Sequence, residues 1–383
     1  MRILAVGGGS GGHVTPVVAV LREIKQSHPR ANIRFWCDHK FAIQAKEIMG
    51  HFDADIPVHM ILSGKLRRYH HLSVMRQLLW PSLVLSNIKD GFLVIAGFFQ
   101  SFVKLIVWRP DVVFAKGGYV CLPVGIAARI LRIPLVIHDS DAHPGLTNLI
   151  LSKWATKIAT GAPLEYYPYS AKKSRYVGIP VSSEFHQFTD QERADAREKW
   201  GISDKYPLVV VTGGGLGASR INDAVVFAID DLLKFCSIVL VSGMGQYDEL
   251  RSITPPNNNR FQLHSFVSND MAALMGAADV VITRAGATTI LELAALARPT
   301  ILIPNGKLTG GHQLKNAEVY LQKNAVKVID EEKMVNSPKI LVLAVKDILS
   351  NPEDSHKMAQ AFAKFARPGA ASDVANMIIS SVK

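Results

Sequence analysis

The sequence predicts an α/β fold of two doubly wound parallel-sheet domains facing across a cleft. Two observations carry this expectation. A short apolar run, a glycine turn and a helix-period stretch follow one another at the N-terminus, and the same unit restarts at residue 208. The chain has 383 residues, 48% of them hydrophobic, which is material for more than one core.

Ile3 to Val6 is a buried-strand run that turns into Gly7-Gly8-Gly9-Ser10-Gly11-Gly12-His13, and Val14 to Ile24 then has helical period. Ile33 to Cys37 and Asp111 to Ala115 are further strands, the latter entering a second glycine turn, Lys116-Gly117-Gly118-Tyr119. A helix over Leu122 to Leu131 leads through Pro134 to a strand over Leu135 to His138. In the second half, strand Leu208 to Thr212 enters Gly213-Gly214-Gly215-Leu216-Gly217, and a single helix is expected over Ala218 to Phe235. Strands Ile238 to Ser242, Asp279 to Thr283 and Thr300 to Pro304 follow, with a helix over Thr288 to Leu296.

Residues 164–175 have no clean period and mix Pro, Tyr and Lys, which makes them the expected linker between domains 1–163 and 176–355. The tail from 356 to 383 is helical in pattern, broken at Pro368-Gly369, and is expected to pack back on the first domain. Two Rossmann-like halves of this kind would aim helix N-termini, with their free amides and dipoles, at anions in the cleft.

Lys and Arg number 43 against 32 Asp and Glu, a net charge of +11, so an anionic partner is expected. No recognised nucleic-acid motif accompanies the charge, and nucleic acid is not expected. Cys37, Cys121 and Cys236 form neither a disulfide framework nor a metal-ligand spacing, so no metal site is indicated and a reducing cytosol fits. The N-terminal apolar run reaches glycine too early for a signal segment.

Between Gly64 and Pro110, basic residues alternate with Trp80, Phe92, Phe98, Phe99, Phe102 and Trp108. The longest uncharged run, Gly91 to Val103, falls short of the roughly 20 residues that span a bilayer. An amphipathic surface resting on anionic lipid has this composition, and so does a helix burying one face against a sheet.

The first glycine loop matches G-x-G-x-x-G only loosely, and Asp38 stands after the second strand where a dinucleotide-binding fold places a ribose ligand. His13, at the first turn of a helix, is a base or phosphate donor on one reading and a packing residue on another. Six motifs then occur in order: GGSGGHVTP at 8–16, KGGYVCLPVGIAA at 116–128, HDSDAHPGLTN at 138–148, TGGGLGASRIN at 212–222, RAGATTILEL at 284–293 and GGHQLKNA at 310–317. Together they resemble glycosyltransferase family 28, nearly over the whole chain.

The resemblance implies a GT-B fold and an inverting transfer of N-acetylglucosamine from UDP-GlcNAc to an undecaprenyl-diphosphate-linked MurNAc-pentapeptide in peptidoglycan synthesis. It implies peripheral residence on the cytoplasmic face of the cell membrane and no resident cofactor. On the donor side it implies Glu292 on the ribose and Ala287, Thr288 and Thr289 at the diphosphate. Gly215 and Arg284 stand nearby, His312 and Gln313 face the sugar, and Phe266 and Val267 clamp uracil through the main chain. Arg284 is equally a strand-end ion pair, and Phe266 equally core. On the acceptor side, Ser10, Gly11, Gly12, Gly118 and Tyr119 would cradle the diphosphate, with His13 and Asp141 the two candidates for base.

The chain departs from the family at three places. His138-Asp139-Ser140-Asp141 replaces His-Glu-Gln-Asn, Gly214-Gly215-Leu216-Gly217 replaces Gly-Ser-Gln-Gly, and Gly178-Ile179-Pro180-Val181-Ser182 lacks the usual arginine. Loss of a buried polar partner resets selectivity. Another lipid-glycosylating transferase, a UDP-sugar epimerase sharing the fold and a silent sugar-nucleotide binder remain alternatives at this point.

Overall fold

The computed structural model describes residues 1–8, 11–65, 80–140, 144–214, 217–267, 270–306 and 311–382, and only the backbone of 11–13. By contacts the chain forms one unit from Met1–Ser182 with Arg367–Lys383 and another from Ser183–Ala366.

The first unit contains β1 (Arg2–Gly7), α1 (Gly11–Ser27), β2 (Asn32–Cys37), α2 (Ala42–Phe52), β3 (Val58–Met60), α3 (Pro81–Val107) and β4 (Val112–Gly117). It continues through α4 (Cys121–Ile130), β5 (Leu135–Asp139), α5 (Leu146–Leu151), β6 (Lys157–Thr160) and β7 (Ser174–Tyr176). Its seven strands are all parallel, in the order β3-β2-β1-β4-β5-β6-β7. Helices cover both faces, so a central strand such as β4 is buried at every position and its sequence, VVFAKG, is a continuous apolar run up to Lys116. Ile3, Ala5, Phe35 and Phe114 face one apolar layer with α1; Leu4, Val6, Val113 and Ala115 face the other with α4.

The second unit contains α6 (Asp190–Lys199), β8 (Leu208–Thr212), α7 (Ser219–Phe227), α8 (Ile229–Leu232), β9 (Ser237–Val241), α9 (Tyr247–Ile253), β10 (Phe261–His264), α10 (Met271–Ala277) and β11 (Val280–Thr283). Then come α11 (Ala287–Leu296), β12 (Thr300–Leu302), α12 (His312–Leu321), β13 (Lys327–Val328), α13 (Glu331–Asn336), α14 (Lys339–Ser350) and α15 (Pro352–Ala363). Six parallel strands run β10-β9-β8-β11-β12-β13, the same winding as in the first unit. The last helix, α16 (Ala370–Ile379), returns to the first unit.

Three expectations are corrected. Residues 164–175 are no linker: β7 begins at Ser174 and pairs with β6, and Tyr169 donates to Asp139 of β5 at 2.7 Å, so the unit runs on to Ser182. Of the tail, only the part from Arg367 joins the first unit, through Val374, Ala375, Met377 and Ile378 in the core against α1. The preceding α15 stays in the second, where Tyr320 of α12 makes edge contact with Phe362 at 5.6 Å. The helix expected over 218–235 is broken at Ala228 (φ −95°, ψ 4°), which separates α7 from α8.

Candidate active site

In the second unit the winding reverses between β8 and β11, and in such sheets ligands bind beyond the carboxyl ends of the strands at that reversal. Two turns meet the requirement. The turn after β8 is drawn tight by glycine: Gly217 has φ +73°, and a Cβ there would stand 2.4 Å from the Ser242 carbonyl oxygen. It feeds α7, whose start carries no side-chain cap. The turn after β11, Arg284-Ala285-Gly286, feeds α11, and Gly286 at the N-cap likewise supplies no side chain. Ala287, Thr288 and Thr289 are therefore the first three helical residues, ahead of the first helical bond, from the Ile290 amide to the Gly286 carbonyl at 3.0 Å. Helix starts of this kind favour anions.

Glu292 lies one turn into α11. Among the described residues its carboxylate has no hydrogen-bond or ion-pair partner, and burial pushes its pKa up to about 7. A half-buried carboxylate without a partner among the described residues can accept from vicinal hydroxyls. Gln313, in the first turn of α12, accepts from the Asn305 amide at 2.8 Å through Oε1, which leaves Nε2 as its donor. His312 opens the same helix and is half-buried. Asn316 donates to the Ala285 carbonyl at 3.1 Å, fastening α12 to the turn before α11; its part in the site was not foreseen. Phe266 and Val267 follow β10 and are half-buried.

Arg284 makes the strand-end ion pair. It is buried, with Nη2 2.5 Å from Glu331 and Nη1 donating to the Ile303 carbonyl at 3.0 Å. Gly215 lies outside the described residues.

The first unit reverses between β1 and β4. Helix α1 starts at Gly11, three residues before the apolar period, so the backbones of Gly11, Gly12 and His13 form its first turn. Ser10, Asp141 and the side chain of His13 lie outside the described residues. Gly118 has φ +87°, and a Cβ on it would fall 2.3 Å from the Gly8 carbonyl oxygen. Tyr119, expected to offer its main chain to the acceptor diphosphate, fixes the turn with its side chain: the hydroxyl donates to Asp38 at 2.9 Å. The same Asp38 oxygen takes the Lys40 amide at 2.9 Å and the Phe41 amide at 3.2 Å. Asp38 is thereby a loop lock rather than the ribose ligand of a dinucleotide-binding fold. In the same unit, the buried Lys116 donates to Ser140, and His138 Nε2 bonds the Gly178 carbonyl at 2.8 Å.

Helix α3 carries apolar residues on two faces. Val94, Phe98, Phe102 and Leu105 pack on the unit, whereas Leu85, Ile88, Phe92, Ile95, Phe99, Val103 and Ile106 form an exposed stripe at helical spacing. By length and composition the 27-residue helix is long enough to cross a membrane, which the uncharged run alone did not indicate. Its inner face is fastened near Gly97 and Gln100. Gln100 accepts from the Leu62 amide at 2.9 Å and donates to the Met60 carbonyl at 3.2 Å, and Gly97 admits the Leu62 carbonyl where a Cβ would stand 1.8 Å away.

The models for the N-terminal and C-terminal domains of glycosyltransferase family 28 match residues 3–160 and 208–374. The chain is 33% identical over its full length to a Clostridium kluyveri protein and 99% of that protein is covered; its name is UDP-N-acetylglucosamine--N-acetylmuramyl-(pentapeptide) pyrophosphoryl-undecaprenol N-acetylglucosamine transferase. The chain belongs to glycosyltransferase family 28. A second relative in the family, a Bacillus anthracis protein of the same name with the suffix 2, is 34% identical over 92% of each chain. Among solved structures, Acinetobacter baumannii MurG superposes with a TM-score of 0.69 at 25% identity over 99% of both chains. A UDP-GlcNAc 2-epimerase from Neisseria meningitidis gives 0.66 at 13% identity, with 99% of this chain and 100% of that one covered, and shares the fold alone. The two parallel-sheet units are thus the GT-B architecture of family 28. The C-terminal family model begins at Leu208, the first residue of β8, and so takes in both turns, Glu292 and Gln313.

Proposed function

We propose that this family 28 enzyme moves GlcNAc from UDP-GlcNAc to the 4-hydroxyl of MurNAc in undecaprenyl-diphosphate-linked MurNAc-pentapeptide, the step that completes the lipid-linked disaccharide of peptidoglycan. The observation that carries the reading is the 33% identity, over the full length of both chains, with the Clostridium kluyveri transferase, whose name states donor and acceptor.

The second unit takes the donor. Glu292 accepts the ribose hydroxyls, the amides of Ala287, Thr288 and Thr289 meet the diphosphate, the Phe266-Val267 main chain meets uracil, and Gln313 Nε2 donates to a sugar hydroxyl. The first unit takes the acceptor diphosphate on the main chain of Ser10, Gly11, Gly12, Gly118 and Tyr119, with the Tyr119 hydroxyl holding that turn through Asp38. In the reaction the acceptor oxygen bonds the anomeric carbon from the face opposite UDP. The bond from that carbon to the diphosphate oxygen breaks, and the hydroxyl proton passes to His13 or Asp141. Charge on departing UDP is met by helix amides and dipoles without requiring a metal.

The exposed stripe of α3 rests in the headgroup layer of the cytoplasmic leaflet, bringing the acceptor turns of the first unit to a substrate that never leaves the membrane. The net charge of +11 favours an anionic surface. Radiolabelled UDP-GlcNAc incubated with the lipid-linked MurNAc-pentapeptide tests the proposal: label in the lipid product is expected. Release of UDP or an epimerised sugar without acceptor would replace it with the epimerase reading, and bound but unconverted donor with that of a silent binder.

A further inference from the structure

One buried carboxylate holds two arginines at the edge of the donor site. Glu331, the first residue of α13, is 4% exposed. Its Oε1 lies 2.5 Å from Arg284 Nη2, and its Oε2 lies 3.1 Å from Arg220 Nη1. Arg284 opens the turn from β11 into α11, and Arg220 is the second residue of α7, directly behind the glycine turn after β8. The other arm of Arg284 holds the Ile303 carbonyl, two residues before the Asn305 amide that Gln313 grips. A single side chain therefore joins the starts of both helices at the β8/β11 reversal to the exit of β12.

Stability alone does not account for such a trio. Glu331 and Arg284 are withdrawn from water at a cost that apolar residues of similar volume avoid, while Arg220 stays 38% exposed. Two guanidinium groups on one carboxylate also leave a net positive charge behind two helix N-termini, the same sign as their dipoles and the complement of a diphosphate. We infer that Glu331 is a positioning residue for the donor diphosphate: it aims Arg220 and Arg284 and, through them, sets the spacing of the α7 and α11 amides. The inference rests on the donor site proposed above.

Glu331→Gln is expected to raise the KM for UDP-GlcNAc and the Kd for UDP by about tenfold or more. The KM for the lipid acceptor should stay within about twofold. Because an unpaired arginine pair can impair folding, a second variant, Arg220→Met/Arg284→Met/Glu331→Met, removes all three charges together. If the trio only holds the fold, this variant regains both Tm and UDP affinity; positioning predicts that Tm returns while UDP affinity stays about tenfold weak. UDP affinity within about twofold of wild type in either folded variant overturns the inference, as does a parallel rise in donor and acceptor KM. Wild-type protein that binds no UDP overturns the donor site itself, so the two failures are told apart.

Discussion

The Tyr119 hydroxyl donates to the Asp38 carboxylate at 2.9 Å, and this bond closes the loops after β2 and β4 around the Gly8 backbone between them. A Cβ on Gly8 would stand 2.3 Å from the second Asp38 oxygen, and one on Gly118 the same 2.3 Å from the Gly8 carbonyl. Burial, and then the Asp38 charge, drive the Tyr119 pKa far above the ordinary phenol value, so it remains a donor throughout the working pH range.

Removing the donor in Tyr119→Phe is expected to destabilise the protein by about 1–2 kcal/mol, since Asp38 keeps its two backbone amides. Denaturant unfolding measures this. A change below about 0.5 kcal/mol would show that the loops hold without the bond.

Gly118→Ala combines strain at φ +87° with a clash against backbone that cannot swing aside. A loss of about 2–4 kcal/mol is expected, or no soluble protein. Gly91→Ala in α3, where a Cβ meets nothing within 4 Å, serves as the matched control and is expected to stabilise slightly.

On the proposed donor site, Glu292 is expected to make donor binding depend on pH. Its folded pKa of about 7 exceeds the ordinary 4.5, so the protonated form stabilises the fold below pH 4.5 and that contribution is lost as pH rises to 7. Above pH 7 the ionised carboxylate is a standing penalty on the order of 2–3 kcal/mol, relieved when ribose hydroxyls bond it. Glu292→Gln is expected to flatten the stability profile between pH 5 and about 7.5, while weakening UDP-GlcNAc binding by about 1–3 kcal/mol at pH 8. UDP-GlcNAc is the ligand to titrate, because its diphosphate diester keeps its charge over this range. Wild-type affinity that is level from pH 6 to 8 would remove Glu292 from the ribose.

Phe92 and Phe99 are 68% and 61% exposed on α3. Phe92→Ser/Phe99→Ser is expected to leave Tm unchanged and to lower partition onto anionic vesicles by about tenfold or more, given the roughly 1.5–3 kcal/mol that each buried ring contributes. Vesicle sedimentation reads the effect, and unchanged binding would move the membrane surface elsewhere on the protein.

Much of the architecture is legible along the chain because central parallel strands are buried on both faces. VVFAKG and VVIT can hardly be anything else between their glycine turns. The edge strand SRY at 174–176 is not legible: three partly polar residues in an aperiodic segment become a strand only because β6 offers an unpaired edge. The break at Ala228 is equally silent, since alanine favours helix and only packing turns the chain there. Within the site, Glu292 and the α11 amides follow from a motif, whereas the role of Arg284 depends on Glu331, far along the chain. Nothing local separates buried Glu331 from exposed Glu332, as both simply open a helix after the capping Asp330. Tyr119 points to Asp38 for the same reason: its partner lies on another loop, and the motif carries no record of it.

The central claim is tested most directly by following the anomeric carbon through turnover by NMR. The account predicts that the α-linked GlcNAc of UDP-GlcNAc appears β-linked on the MurNAc 4-hydroxyl, with one UDP released per glycoside and none without acceptor. An α-linked product, or acceptor-independent UDP release, would contradict it.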